Sequence, residues 1–350
     1  MVADGTETAG QAPSVPQDKV VVFVRMFGWF NLACLLVFLI NNYLTNWLGL
    51  PGPMAAVAGE AGGLAWVQVG AFPVACVIAA LLVFQTPERD LRKDSVYISN
   101  TNVVLIRMAF FMVLYVGLAD AAISFLRVEG LLPAVVGDKM ATDLGISSIR
   151  GTYVHMPLIA LAIITGAFGR TLGFHWLALL AVAAELLIVI TRFVFSYEQA
   201  FMADLVRFWY AALFLFASAH TLLEEGHVRV DVLYSGFSAK AKGRVNAFGS
   251  VLLGISLCWV VLTIGMYGKT GIINSAILAF ETTQTGFGMY VKYIMAGFLG
   301  IFAISMIIQF VSYMMDAVAD WRGELNDWES SWYDRTRLGQ RARARAQPHA

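Results

Sequence analysis

Apolar residues in this chain come in blocks of about 20, and this spacing limits its fold more than any other feature. A helix of about 20 apolar residues crosses the roughly 30 Å hydrocarbon core of a bilayer. Eight such blocks can be placed, at residues 20–42, 64–84, 103–124, 154–169, 174–196, 202–223, 245–267 and 289–314. Since lipid offers backbone polar groups no water, each block is predicted to be a helix. The predicted fold class is an all-α integral membrane protein with about eight transmembrane helices.

Composition excludes several other classes of protein. Charged residues make up 14% of the 350 residues, against roughly 25% in a soluble domain. The formal net charge is zero, which gives no support to a nucleic-acid partner. The cysteines at 34, 76 and 258 lie in separate apolar blocks without metal-ligand spacing, so we interpret them as small apolar core residues. No metal and no cofactor is expected.

Lysine and arginine in the short loops predict the orientation, because positive residues resist translocation. Loops 85–102 and 224–244 and the tail after 319 are basic, whereas loop 43–63 has no lysine or arginine and loop 268–288 has only Lys269. Loop 125–153, with Arg127, Lys139 and Arg150, is an exception. Both termini are predicted to be cytoplasmic.

The segments outside the spans have patterns of their own. Residues 1–18 are rich in Gly, Pro and Thr without a basic start, and this predicts a disordered tail and a retained first span. Apolar residues at helical spacing predict two amphipathic interfacial helices, one with Val230, Leu233, Tyr234 and Phe237 before a Ser238 cap, the other with Ile273, Ala276, Ile277 and Phe280. Anionic lipids are the expected partners of a basic interfacial tail in which Trp321, Trp328 and Trp332 are followed by five arginines.

No enzyme motif is present, and the histidines at 155, 175, 220, 227 and 349 lie near span boundaries or in the tail, which disfavours haem ligation.

Charged residues inside spans are the better candidates for functional residues, since each is costly unless paired. Glu185 is central in the fifth span, and Arg192 is expected to contact Asp204, one turn from Arg207. Such a group of charges either joins two helices or contacts lipid headgroups, or else it acts directly in transport. Arg107 and Asp120 are expected to extend to the headgroups.

Three segments of the C-terminal half carry a recognisable pattern. They are Thr191-Arg192-Phe193-Val194-Phe195, Ala203-Asp204-Leu205-Val206-Arg207-Phe208 and Glu225-Gly226-His227-Val228-Arg229-Val230-Asp231. Over residues of about 174–316 the chain resembles the small, Q-type (DctQ-like) permease of the tripartite ATP-independent periplasmic (TRAP) transporters. Phe193 and the pair Ala203-Asp204 depart from that pattern. The resemblance adds His227, Arg229 and Asp231 to the residues expected to make structural, partner or lipid contacts.

The resemblance implies a partnership as well as a domain order. Residues 19–170 are then an additional membrane region of about four helices, residues 171–318 a four-helix small-permease region, and residues 319–350 a cytoplasmic tail. The implied function is non-enzymatic: the chain would brace a large, sodium-coupled permease in the bacterial inner membrane. That permease would import an organic acid delivered by a periplasmic binding protein. The bracing role agrees with the sequence, which predicts few buried charges and no helix with the Gly/Pro interruption typical of a substrate site. Two alternative functions for this chain stay open: an accessory subunit of a respiratory or photosynthetic complex, and a membrane enzyme or haem protein.

Overall fold

A computed structural model of the protein describes residues 18–59, 62–169, 174–197, 200–223, 232, 234–282 and 288–324. All regular secondary structure in these ranges is helical. The helices are α1 (Lys19–Asn46), α2 (Pro53–Val57), α3 (Gly63–Gln85), α4 (Leu91–Val128), α5 (Leu132–Val136), α6 (Asp138–Leu144), α7 (Ser147–Arg150), α8 (Met156–Phe168), α9 (Phe174–Phe195), α10 (Ala200–Leu223), α11 (Ala239–Gly249), α12 (Ser256–Gly265), α13 (Ile272–Leu278) and α14 (Lys292–Arg322).

Eight helical segments in the described part of the chain are long and apolar enough to cross a membrane, which confirms the predicted all-α membrane fold. Two of them contain a π-helical turn. Residues Gly151–His155 join α7 to α8, and residues Ser250–Ile255 join α11 to α12. The fourth and seventh spans are therefore Ser147–Phe168 and Ala239–Gly265. The helix continues through each of these turns, so both spans remain uninterrupted.

The third span differs most from its prediction. Its apolar block covers residues 103–124, whereas α4 has 38 residues. The helix begins earlier because Asp90 caps it, accepting a hydrogen bond from the Lys93 amide at 2.7 Å. The extra turns, from Leu91 to Asn102, are rich in polar residues. Hydropathy alone assigns them to a loop, yet several are buried.

The two predicted amphipathic helices agree with the structure to different extents. Helix α13 coincides with the pattern at residues 273–280, and Ile273 and Ala276 are buried where α13 packs on α14. Ser238 caps α11 as predicted, accepting from the Ala241 amide at 3.4 Å. Residues 234–236 form a turn, while Val230 and Leu233 lie outside the described residues. So do residues 1–17, the arginine-rich tail, Trp328 and Trp332.

Helices α4 and α14 lie side by side at the centre of the bundle. The fourth span packs on α4, the seventh packs on α14, and α10 contacts both central helices. Helix α1 packs on α3 and α14, while α9 lies at the edge and packs mainly on α10. The chain crosses the bundle eight times, so Lys19 and Arg322 lie at one end, named here the near end. Asn46 and Lys292 lie at the opposite, far end.

Candidate functional site: polar contacts between the two halves

A stripe of polar side chains runs along the contact between α4 and α14. We call these residues the polar seam: Ser95, Ser99 and Asn102 of α4, and Ser305, Gln309, Ser312 and Asp316 of α14. Within each helix they recur every three or four residues, so they share one face. All except Asp316 are buried. The seam joins the additional N-terminal half to the last helix of the chain.

Hydrogen bonds cross the seam at successive turns. The Ser95 hydroxyl donates to an Asp316 carboxylate oxygen at 2.6 Å, and the Ser312 hydroxyl donates to the Ser95 carbonyl at 2.9 Å. Deeper in the bundle, the Asn102 amide donates to the Ser305 carbonyl at 2.9 Å and to Gln309 at 3.2 Å. Buried polar groups that are paired in this way fix the register of two helices, because any shift leaves them unsatisfied.

At the far end, the carboxylate of Asp120 is wholly buried between the halves. One oxygen lies 2.9 Å from Nη1 of Arg150 and 3.0 Å from Nε2 of His155. The other accepts the backbone N–H of Tyr290 at 2.8 Å. Arg150 and His155 are also fully buried. A buried carboxylate needs such partners, since an unpaired charge would pay the full desolvation cost.

The segment that leads into α14 is held by further contacts of the same cluster. The guanidinium groups of Arg150 and Arg127 lie over the ring of Tyr290, at 4.1 and 4.7 Å from its centroid. Arg127 donates to the Gly288 carbonyl at 2.9 Å. His155 shares a 2.8 Å hydrogen bond with the hydroxyl of Tyr293. Residues of the N-terminal half thus position the first turn of α14 by charge, ring stacking and hydrogen bonding.

Asp204 approaches the same segment from the C-terminal half. Its carboxylate accepts the backbone N–H of Met289 at 3.1 Å, next in sequence to the amide that Asp120 binds. Its other oxygen lies 3.6 Å from Arg207, whose side chain is 71% exposed. Two carboxylates, one from each half, therefore hold consecutive amides ahead of α14. Asp204 has no bond to Arg192 among the described residues.

A second charged cluster lies at the near end. Arg25 and Asp94 are buried and form an ion pair of 2.7 Å between Nε and Oδ2. The indole N–H of Trp29 donates to the same carboxylate oxygen at 2.9 Å, and Arg25 also donates to the Thr86 carbonyl at 2.9 Å. These contacts join α1, the end of α3 and the start of α4.

The last turns of α14 add surface ion pairs to this end. Arg92 lies 2.7 Å from Asp320, and Arg322 lies 2.6 Å from Asp18. A backbone hydrogen bond from Val20 and the bond from Arg322 lower the pKa of Asp18 from its ordinary value. The polar contacts between the halves therefore extend from one end of α14 to the other.

The candidate site residues predicted from the sequence do not all lie in one place in the structure. Glu185 and Arg192 are exposed on α9, Arg207 is exposed and Asp204 is buried. His227, Arg229 and Asp231 lie outside the described residues. The expectation that Asp120 extends to the headgroups is wrong, because the residue is buried and paired. The buried charges of the described chain include two ion pairs, one in each cluster.

Sequence reasoning missed the central contacts although a signal was present. Ser95, Ser99 and Asn102 are spaced by four and three residues, and α14 has the matching set at 305, 309, 312 and 316. A polar stripe at helical spacing beside an apolar block indicates a helix whose polar face is buried by another helix. His155, which the sequence places near a span boundary, is buried because the fourth span begins at Ser147 and other helices cover this turn. The described residues contain no group of three His, Cys, Asp or Glu that could hold a metal ion.

The fold and these contacts define the class of protein. It is a multi-pass, all-α membrane protein in which buried charged residues join helices to one another. Residues 181–320 match the family model described as "Tripartite ATP-independent periplasmic transporters, DctQ component". The C-terminal region of the chain is thus a DctQ domain, which confirms the resemblance noted in the sequence. The matched range contains most of α9 and the helices α10 to α14, while α4 and its Asp120 belong to the additional half. No curated protein and no solved structure matched the chain.

Proposed function

We propose that this chain is the small membrane subunit of a TRAP-type transporter, and that it stabilises the large permease without carrying substrate. The DctQ domain at residues 181–320 is the reason for the transporter assignment. One structural observation supports the stabilising role: Asp120, the most deeply paired carboxylate, has all its polar partners within this chain. A residue on a transport path must instead exchange partners with substrate, ion or water during each cycle.

The other components follow from the family. A large permease carries the substrate and the coupling sodium ions, and a periplasmic binding protein delivers an organic acid to it. The assembly lies in the bacterial inner membrane, and this chain has both termini in the cytoplasm. Anionic lipids contact the near end, where Trp321 is part-exposed beside Arg322 and the basic tail follows. These finer features are proposals that the family assignment supports.

Co-expression tests the proposal directly. The tagged chain is co-expressed with a large permease of the TRAP family, purified in mild detergent and reconstituted together with the matching binding protein. We expect a stable complex and uptake of radiolabelled carboxylates that needs all three proteins and a sodium gradient. Omitting this chain should reduce uptake to background. Co-purification with respiratory or photosynthetic subunits in place of a permease would contradict the proposal.

A variant separates stabilisation from transport. If the chain acts only by bracing, Asp204→Asn should lower the yield of the complex, because Asp204 helps to position the segment before α14. The KM for substrate of the complex that remains should be unchanged, since bracing affects the amount of competent transporter. A raised KM with a normal yield of complex would place Asp204 on the transport path.

A further inference from the structure

Glu185 lies where a carboxylate is hardest to accommodate. It is the middle residue of the span His175–Phe195, ten residues from either end. At 1.5 Å per residue it is about 15 Å from both ends of that helix. A glutamate side chain is far shorter than this, so Glu185 reaches neither interface. It differs in this respect from charged residues near span ends, which extend to the headgroups.

The surroundings of Glu185 within this chain are apolar. Val182, Leu186 and Val189 flank it on the same outer face and are 59%, 58% and 50% exposed. Glu185 is itself exposed, and it forms no hydrogen bond or ion pair with any residue that the structure describes. The carboxylate therefore points away from the bundle among side chains suited to acyl chains.

The position of α9 in the bundle explains this exposure. The helix packs on α10 through its inner face, which contains the buried residues Leu177, Ala181 and Ala184. In the apolar part of this span only 17% of residues are buried, the lowest share among the eight spans of the described chain. None of the residues that the structure describes covers the opposite face, where Val182, Glu185, Leu186 and Val189 are exposed. We call it the α9 outer face: Val182, Glu185, Leu186 and Val189.

We propose that the α9 outer face binds a transmembrane helix of the large permease, and that this helix presents a lysine, an arginine or another hydrogen-bond donor to Glu185 at mid-membrane depth. The inference rests on the proposed function. A polar group in hydrocarbon is costly alone and favours helix association when a partner helix supplies its bond. The apolar flanks provide the packing, while the carboxylate determines depth and register.

A second copy of this chain is a poorer occupant of the same face. Copies inserted in one membrane have the same orientation, so a symmetric contact through α9 would place one Glu185 against the other at equal depth. Two ionised carboxylates in a medium of low dielectric repel, so this contact requires one of them to take up a proton before it can donate to the other. Charge complementarity therefore favours a different protein.

Three variants of the full chain, each co-expressed with the large permease, test the proposal. Glu185→Leu removes the polar group, and Glu185→Gln keeps hydrogen bonding without charge. Leu186→Trp adds bulk on the proposed interface. Leu257→Trp is the matched control, since Leu257 is a 62% exposed leucine on α12, part of another span. The measurements are the amount of permease retained per tagged chain and the thermal stability of the chain purified alone.

We expect Glu185→Leu and Leu186→Trp to reduce the retained permease by about tenfold, a loss equivalent to one good interhelical contact. Glu185→Gln should retain more permease than Glu185→Leu, and the control should resemble the wild type. The isolated Glu185→Leu chain should be at least as stable as the wild type, because an unpaired carboxylate has been removed. A role inside the fold would instead lower its stability.

Two results would overturn the inference. Retention of permease by both Glu185→Leu and Leu186→Trp at the wild-type level would place the interface elsewhere and leave the proposed function intact. Self-association of the wild-type chain that Glu185→Leu abolishes, with permease binding unaffected, would assign the face to a second copy. Failure of the wild-type chain to retain any permease would refute the proposed function itself, so the two failures are distinguishable.

Discussion

Replacing Asp120 by asparagine should destabilise the protein more than any change at an exposed ion pair. The substitution keeps the shape of the side chain but removes the charge that balances Arg150, and both side chains are fully buried. It also replaces one acceptor oxygen with an amide donor, so either the Tyr290 amide or the Arg150 and His155 side chains lose their partner. The substitution should therefore lower the free energy of unfolding by as much as breaking a buried ion pair does.

The magnitude follows from that description. Removing one member of a buried ion pair costs about 3–5 kcal/mol, because the remaining charge has no counter-charge. The entropy of unfolding is roughly 2 cal/mol/K per residue. In a chain of this length, each kcal/mol of lost stability therefore lowers Tm by about 1.4 °C. The predicted decrease in Tm is about 4–7 °C. The contact between α14 and the N-terminal half should loosen first.

The assay is thermal unfolding of the purified chain in detergent, with Glu281→Gln as the matched control. Glu281 and Lys292 form an ion pair at the same end of α14, with both side chains 45% exposed. Such a pair contributes about 0–1 kcal/mol, so the control should lower Tm by no more than about 1 °C. Equal shifts for Asp120→Asn and Glu281→Gln would refute the view that the far-end cluster holds the halves together.

Two further changes test the packing and the near end. Gly166→Ala should cost about 1–3 kcal/mol in unfolding free energy, because an added Cβ would lie 2.6 Å from the backbone of Met108. Gly249→Ala is the control, since open space surrounds that position, and both variants are compared by thermal unfolding. Arg25→Met should cost about 3–5 kcal/mol by leaving the Asp94 carboxylate without its main counter-charge. Arg25→Met combined with Asp94→Leu should cost less than the sum of the single changes, and strict additivity in that cycle would contradict a direct pair.

The spans were predictable because hydrophobic length is a property of the local sequence. A block such as 64–84 becomes a helix, observed as Gly63–Gln85, whatever it packs against. The cap of α11 at Ser238 and the short helix at Ile272–Leu278 were predictable for the same reason. Each depends on residues within a few positions of one another.

The partners of the charged residues were not predictable in this way. Asp120 and Arg150 each lie near the end of an apolar block, where a charge normally extends to the headgroups. What buries them is distant in sequence: the segment before α14, which supplies the Tyr290 amide and the ring over Arg150. Glu185 lies in the middle of an apolar block, so hydropathy marks it as the most unusual charged residue. Hydropathy does not show whether such a residue is paired inside the chain or faces outward.

The distribution of polar residues on α14 indicates that the additional half is part of the folding unit. Helix α14 lies in the DctQ domain, and Gln309 and Ser312 on its seam face are buried by α4. Without the N-terminal half these groups would face lipid unsatisfied, at a cost that a stable helix avoids. The amides before α14 likewise need one carboxylate from each half, Asp120 and Asp204. The eight helices of the described chain therefore form one body, in which residues of the additional half satisfy polar groups of α14 and of the segment before it.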